Sequence, residues 1–507
     1  MSKRISRREF VGDASTLALG AMIVPRHVLG GPGFRAPSAT LNVACVGIGG
    51  MGMENMSALL TGGMNIVAIA DVDFPYVERA LAGRLKPNQQ GVVSPAATRL
   101  QEAYTKATKY ADFREMLDKQ KDIDAVVIAT PDHSHAQVAV RAMKLGKHVY
   151  VQKPLTYSVY ESRLLAKTAA ETKVVTQMGN QGHSRDGTRR ILEIVGSGVL
   201  GDITEAHIWT DRPVTYWAQG IPRPPIAPPA QRPRDPNAPP EQWSMNTVNR
   251  AVMRAELEAA QSPPAGLNWD LFLGCSPDVA YHPAYHPFSW RGWVDFGVGA
   301  LGDMGAHLVD QAFWSLGLTY PTSIVASSTR WGGDQPPKTP ASYPLAEIVE
   351  YEFAARGNRP PVRMFWYDGG LLPPRCHFIP DDVIVMGDGG GGMIIGTKGA
   401  ITYETYGDHP KVYPAAVAAE AEQVPQSVPR ITVSHEMNWA NACMGNGVAS
   451  SQFEYAARLN ETMVLGVVAL RAGQGKKVLY DGANMKFTNA PDANQFLTRE
   501  YRKGWEL

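Results

Sequence analysis

A lysine ends the apolar run HVYVQKP (148–154), and an acid and a histidine lie four residues apart in GALGDMGAHLVD. A strand interior gains nothing from an ammonium, and proline cannot donate to a ladder. Lys153 and Pro154 therefore mark a strand end, where the proline fixes the chain behind a cation. Asp303 and His307 share one face of a helix if the helical pattern continues through LVDQAFWSL, as its apolar spacing predicts. Gly302 and Gly305 beside them are poor helix formers, tolerated where something approaches the backbone closely. A histidine suits removal of a hydroxyl proton near neutral pH. An acid can orient or charge-stabilise such a site, and Lys153 can polarise the reacting oxygen.

A second constellation is Gly47-Ile48-Gly49-Gly50-Met51-Gly52, a G-x-G-x-x-G that follows the strand pattern LNVACVG and opens a helical stretch. Asp71 ends the next strand pattern about 20 residues further on, the spacing of a dinucleotide-binding turn. Gly47 permits the tight turn, Gly49 admits a pyrophosphate, and Gly52 lets helix and strand come together. The helix N-terminus offers amide groups to phosphate. Asp71 would accept the adenosine ribose hydroxyls and would repel a 2′-phosphate, which favours NAD over NADP. Thr130 and Pro131 end a later strand and, with His135 in PDHSHA, are expected at the same crevice. Lys153 belongs to its carboxyl-end side too, because ligands of such sheets bind there.

These residues need a frame. From Leu41 short apolar strands alternate with amphipathic helices, as in a parallel α/β unit. This first block, a Rossmann-type NAD-binding domain, is expected over residues 40–160. Residues 161–485 have a different texture, with strand-like stretches such as TSIVASSTRWG, EIVEYEFAA, VRMFWYDG and GAITYETYG. They suggest an α/β domain with a large open, mainly antiparallel sheet. A proline-dense insertion covers about 212–264 and carries an expected short helix, NTVNRAVMRAELEAAQ. Residues 486–507 read as a tail. Gln181 and His183 follow a strand end that should face the pocket. Trp217, Gln219 and Arg223 have the aromatic and polar character of a sugar-binding rim.

Composition narrows the partners. The 507 residues carry 49 Lys+Arg against 48 Asp+Glu, and no basic run is interleaved with aromatics. That balance points away from nucleic acid and anionic membranes and towards a small ligand. Four scattered cysteines form no CxxC pair. The histidines of PDHSHA and HPAYH lack cysteine or carboxylate support, so no metal is expected. Arg7 and Arg8 with Phe10 precede a weakly apolar stretch too short to span a bilayer. This resembles a twin-arginine export signal, so residues 1–39 are set outside the fold and a periplasmic location is expected.

The glycine turn, Asp71, VVIATPDHSHAQVAVRAMKLGKHVYVQKP and GALGDMGAHLVD together resemble the Gfo/Idh/MocA family, named for glucose–fructose oxidoreductase and inositol dehydrogenase. The resemblance spans about 41–485. It implies a Rossmann domain, then an α/β domain forming substrate pocket and dimer interface, in a homodimer or homotetramer. The family's catalytic lysine matches Lys153, and its Asp-x-x-x-His pair matches Asp303 and His307. Its Glu-Lys-Pro signature departs here to Gln152-Lys153-Pro154, which removes a charge beside the lysine. The implied activity is NAD-dependent oxidation of a hydroxyl on a sugar, glycoside or polyol. An exported enzyme meets no free NAD pool, so a tightly held cofactor that is reset in place is expected. This leaves open a redox-neutral glycoside hydrolase or lyase working through a transient keto-sugar. A non-enzymatic sugar- or NAD-sensing dimer would instead have lost part of the Lys153, Asp303 and His307 set.

Overall fold

The computed structural model describes residues 40–225, 261–332, 340–385 and 389–507. The stretch expected to direct export lies outside them, as does the expected helix of the proline-rich insertion except for Gln261. Six strands form the first sheet: β1 (Asn42–Val46), β2 (Asn65–Ala70), β3 (Thr108–Tyr110), β4 (Ala125–Ile128), β5 (His148–Val151) and β6 (Thr176–Met178). Their order is β3-β2-β1-β4-β5-β6, with every pairing parallel. The strand NVACV is buried over four of its five residues, as a sheet covered on both faces requires. The order reverses between β1 and β4, which opens a crevice at their carboxyl ends. Gly47, Asp71, Thr130 and Lys153 follow β1, β2, β4 and β5 respectively, so four separate strands aim at that crevice.

The first sheet continues past the boundary expected at residue 160. β6 pairs with β5 after a crossover through the Val159–Thr172 helix. That helix starts in a capping box: Ser158 Oγ accepts from Glu161 N, and Glu161 accepts from Ser158 N. Two orphan amides are thereby satisfied just after the Lys153–Pro154 strand exit.

The second sheet has nine strands: β7 (Ile203–Trp209), β8 (Ser323–Ser328), β9 (Glu347–Phe353), β10 (Val362–Tyr367), β11 (Gly391–Gly396), β12 (Ala400–Glu404), β13 (Lys411–Tyr413), β14 (Val478–Asp481) and β15 (Lys486–Phe487). The order is β13-β12-β11-β7-β10-β9-β8-β14-β15, antiparallel except between β7 and β10. Residues 486–507, expected as a tail, are part of the fold. β15 closes a hairpin on β14, and Leu497 and Trp505 are buried.

The Gly299–Leu308 helix, which carries Asp303 and His307, is buried along its whole length. Its glycines set how closely it seats. A Cβ on Gly305 would lie 2.7 Å from Met463 Sδ in the Phe453–Ala472 helix, and one on Gly302 would reach within 3.5 Å of Pro154 Cγ. Tyr403 of β12 donates its hydroxyl to Leu308 O at 3.1 Å, which anchors the helix's far end to the second sheet.

Candidate active site

Lys153 Nζ donates to Asp303 Oδ1 at 2.8 Å, so strand end and buried helix meet. Arg291 Nε donates to the same oxygen at 3.1 Å. Burial alone would raise the Asp303 carboxyl, but the charges of Lys153 and Arg291 outweigh it and hold the group well below the usual carboxylate range. The Arg291 guanidinium is fixed in turn by the rings of Phe288 and Trp290, 4.4 and 4.3 Å from its central carbon. Sequence reasoning missed Arg291, which belongs to no recognised motif.

His307 lies one turn beyond Asp303, its ring edge-on to Tyr406 with centroids 4.9 Å apart. Its Nδ1 is buried without a protein partner. A histidine titrating near neutrality was expected here. Burial, and then the charge of Lys153, push His307 down to about 3 instead. It is therefore an uncharged imidazole across the physiological range.

Gln152, where the family signature has glutamate, donates Nε2 to Asn55 Oδ1 at 2.9 Å, and Asn55 Nδ2 donates to Glu436 Oε1 at 2.8 Å. The missing carboxylate is thus replaced by an amide relay ending on a buried glutamate from a distant part of the chain.

These groups form one end of a cavity of about 610 Å³ that runs back to the glycine turn. At the turn Gly47 adopts φ +76°, and a Cβ there would lie 2.8 Å from Ala129 O. A Cβ on Gly52 would lie 2.0 Å from Gly47 O, so only glycine lets helix and turn approach this closely. Gly50 caps the Met51–Thr61 helix with no side-chain bond, which leaves its first amides open to an anion. Asp71 accepts from Ile48 N at 2.8 Å and Asp73 N at 3.0 Å, so its carboxylate is fixed in orientation. Burial nevertheless raises its pKa, against those two amides and the nearby His286.

The residues present fit a dinucleotide. Thr130, Gln152, Gln181, His286 and His307 line the cavity, and each carries a buried polar atom with no protein partner. Such atoms call for a ligand with donors and acceptors at both ends. Gly49, Gly50, Met51, Pro131 and Trp217 also line it. Ile48 contributes through its amide to Asp71, and Gly52 through the close approach just described.

Four expected site residues stand elsewhere, the first being Gln219, which is buried, accepts from Trp217 Nε1 at 2.8 Å and donates to Pro344 O. His135 is buried behind the wall, its ring nitrogens 2.8 Å from Pro154 O and Thr130 O. It ties the two strand ends together and does not face the cavity. His183 is held by Asp310 at 2.9 Å and stacked on Trp314, and Arg223 pairs with Asp295. Both are occupied by partners far away in the chain, which no local signal marks. Sequence reasoning also missed Arg212 and Tyr406 on the cavity wall. Among the described residues no group of three or more His, Cys, Asp or Glu is arranged to hold a metal.

Comparison with known proteins adds to this geometry. Solved structures share the fold. The WlbA dehydrogenase from Bordetella pertussis, in complex with NADH and UDP-GlcNAcA, aligns with a TM-score of 0.52 at 15% identity, covering 87% of this chain and 99% of that one. A levoglucosan dehydrogenase in complex with NADH and levoglucosan aligns with a TM-score of 0.51 at 18% identity, covering 87% and 99%. A glycosyl hydrolase family 109 protein from Shewanella pealeana is 29% identical over 217 residues, 39% of this chain and 44% of the relative. The match thus spans less than half the length of that curated relative. Residues 41–180 match the model for an oxidoreductase family's NAD-binding Rossmann fold, and residues 243–330 match that family's C-terminal α/β domain. Over these two stretches the chain is similar to the two domains of the Gfo/Idh/MocA oxidoreductase family.

Proposed function

We propose that the protein is an NAD-dependent oxidoreductase acting on a hydroxyl of a sugar, glycoside or polyol. The observation that carries this reading is the single cavity that joins the Lys153–Asp303 pair and His307 to the glycine turn and Asp71. Gly47, Gly49 and the first amides of the Met51–Thr61 helix would hold the pyrophosphate of NAD, and Asp71 the adenosine ribose. The two aligned dehydrogenase structures, both with NADH, support this cofactor. When bound, NAD supplies the acceptor for the hydrogen, with its electron pair, on the carbon being oxidised.

The chain's own residues do the rest. The neutral His307 takes the hydrogen bond of the reacting hydroxyl and receives its proton as the carbonyl forms. Lys153 holds the oxygen while it carries negative charge, and Asp303 and Arg291 fix the direction of its ammonium. Asp303 also offsets the positive charge that His307 gains. Tyr216, Trp217 and Tyr406 offer ring faces and edges to a sugar.

The match to a glycosyl hydrolase family 109 protein favours a second reading, in which the oxidised sugar loses its glycosidic substituent and the cofactor ends the turnover unchanged. An exported enzyme remote from any NAD pool would need such an in-place reset. Both readings are tested by mixing purified protein with NAD and a panel of sugars and aryl glycosides. Accumulating NADH supports dehydrogenation, and released aglycone without net NADH supports the redox-neutral route. Lys153→Ala should lower either rate by about a hundredfold to a thousandfold with NAD binding retained. Turnover undiminished in that variant would overturn both readings.

A further inference from the structure

The adenosine half of the cavity is not built by the nucleotide domain alone. Asn268 N donates to Val72 O at 2.8 Å, and Leu267 bridges to Asp73, so residues from well beyond the first sheet dock on the loop that follows Asp71. From the same region His286 reaches Asp73, with Nε2 2.9 Å from Oδ2. A carboxylate only accepts, so Nε2 carries the hydrogen and, in the neutral ring, Nδ1 is left as an acceptor. That Nδ1 is buried, has no protein partner, and belongs to a residue of the cavity wall. Asp73 cannot turn away, because its other oxygen caps the Phe74–Arg84 helix through Tyr76 N.

The last stretch of the chain closes the same end. Arg502 Nε donates to Gly274 O at 2.8 Å, and Nη1 pairs with Asp270 at 2.7 Å. Trp505 is thereby carried across to the nucleotide domain, where the Arg114 guanidinium stacks on its ring at 4.0 Å. Its indole is 8% exposed and lines the cavity with Phe113 and Val138, beyond the ends of β3 and β4.

Resting on the cofactor assignment above, we propose that His286 and Trp505 are cofactor-binding residues. His286 Nδ1 accepts a hydroxyl of the adenosine ribose beside Asp71, and the Trp505 indole walls the adenine. Because His286 and Trp505 come from outside the nucleotide domain, the dinucleotide leaves only when the Val72–Asn268 and Asp73–His286 contacts part. NAD is on this account a resident group rather than an exchanging substrate.

The test compares wild type with His286→Ala, His286→Gln, Trp505→Ala and Trp505→Phe. Loss of bound NAD is followed after transfer to nucleotide-free buffer, and equilibrium binding is measured with ADP-ribose and separately with nicotinamide mononucleotide. His286→Ala and Trp505→Ala should each shorten the NAD lifetime and weaken ADP-ribose by about tenfold, the size of one lost contact. Nicotinamide mononucleotide, which lacks the adenosine, should bind as to wild type. Trp505→Phe keeps a ring in place and guards against a variant that fails to fold, and His286→Gln should restore part of the loss. Unchanged NAD lifetimes, or mononucleotide and ADP-ribose weakened alike, would overturn the inference while leaving the cofactor assignment standing. Wild-type protein that binds neither NAD nor ADP-ribose would instead defeat that assignment, and the inference with it.

Discussion

At the scale of single residues, Gln152 shows how a local change is absorbed at a distance. Its amide donates to Asn55, which donates to Glu436, so one buried carboxylate serves the whole relay. Glutamate at 152 would place a second carboxylate on the same asparagine, with one amide to serve both. Gln152→Glu should therefore destabilise the fold by about 2 kcal/mol, the cost of an unsatisfied buried polar group. The new carboxyl would hold its proton in the folded state above its ordinary value, so the deficit should grow as pH rises. Melting temperatures at about pH 5 and about pH 8 measure this, and the double change with Glu436→Gln should recover most of the loss. A Gln152→Glu protein as stable as wild type at both values would show that the relay does not depend on the amide. Lys153, Asp303 and His307 were legible in the sequence because strand end and helical spacing are local signals. Asn55, Glu436 and Arg291 were not, because each acts through a partner that only the folded chain brings near.

At the scale of elements, the Gly299–Leu308 helix decides whether the site assembles. A methyl on Gly302 would fall 2.4 Å from Val298 Cβ, inside a buried helix start that also faces Pro154. Val298 cannot retreat freely, since its amide donates to the buried Asp132 at 3.0 Å. Gly302→Ala should shift the helix relative to Lys153 and lower kcat by about ten- to a hundredfold through misplacement, with NAD affinity unchanged. Gly305→Ala meets only the flexible thioether of Met463 and should cost far less. Equal effects of the two, measured as kcat beside NAD affinity, would refute this seating. The same scale shows where pattern reading stops. β8, β9, β10 and β12 fall within stretches whose apolar alternation announces them. β11, GGMIIG, carries no such signal, yet it joins β7 to β12. Its glycines are required because a Cβ on Gly392 would lie 2.1 Å from the Tyr403 ring, the side chain that anchors the Gly299–Leu308 helix.

Across the whole molecule, buried titratable groups pull stability in opposite directions with pH. Burial lowers His133 and His307 to about 3, and His135 and His435 to about 4. Between those values and the ordinary 6.5 the unfolded chain binds protons that the folded chain refuses, so stability falls as pH drops below about 6.5. Burial also raises Asp132 to about 7, and raises both Glu347 and Asp368, which share one buried site. These acids stay protonated in the fold where the unfolded chain has ionised, so their contribution is lost as pH climbs from the ordinary carboxyl range through their folded values. The two sets together predict a melting temperature that peaks at about pH 6 to 7 and declines on both sides. Glu347→Gln keeps the shape of the side chain and removes its ionisation, so it should flatten the alkaline decline and steepen the rise on the acid side above the ordinary glutamate value. None of this was legible in the sequence, where His133, His135 and His435 are single polar letters and nothing marks them as buried. A wild-type melting temperature that is level from about pH 6 to 9, or a Glu347→Gln variant with the same alkaline slope, would show that the buried acids are ionised in the folded protein after all.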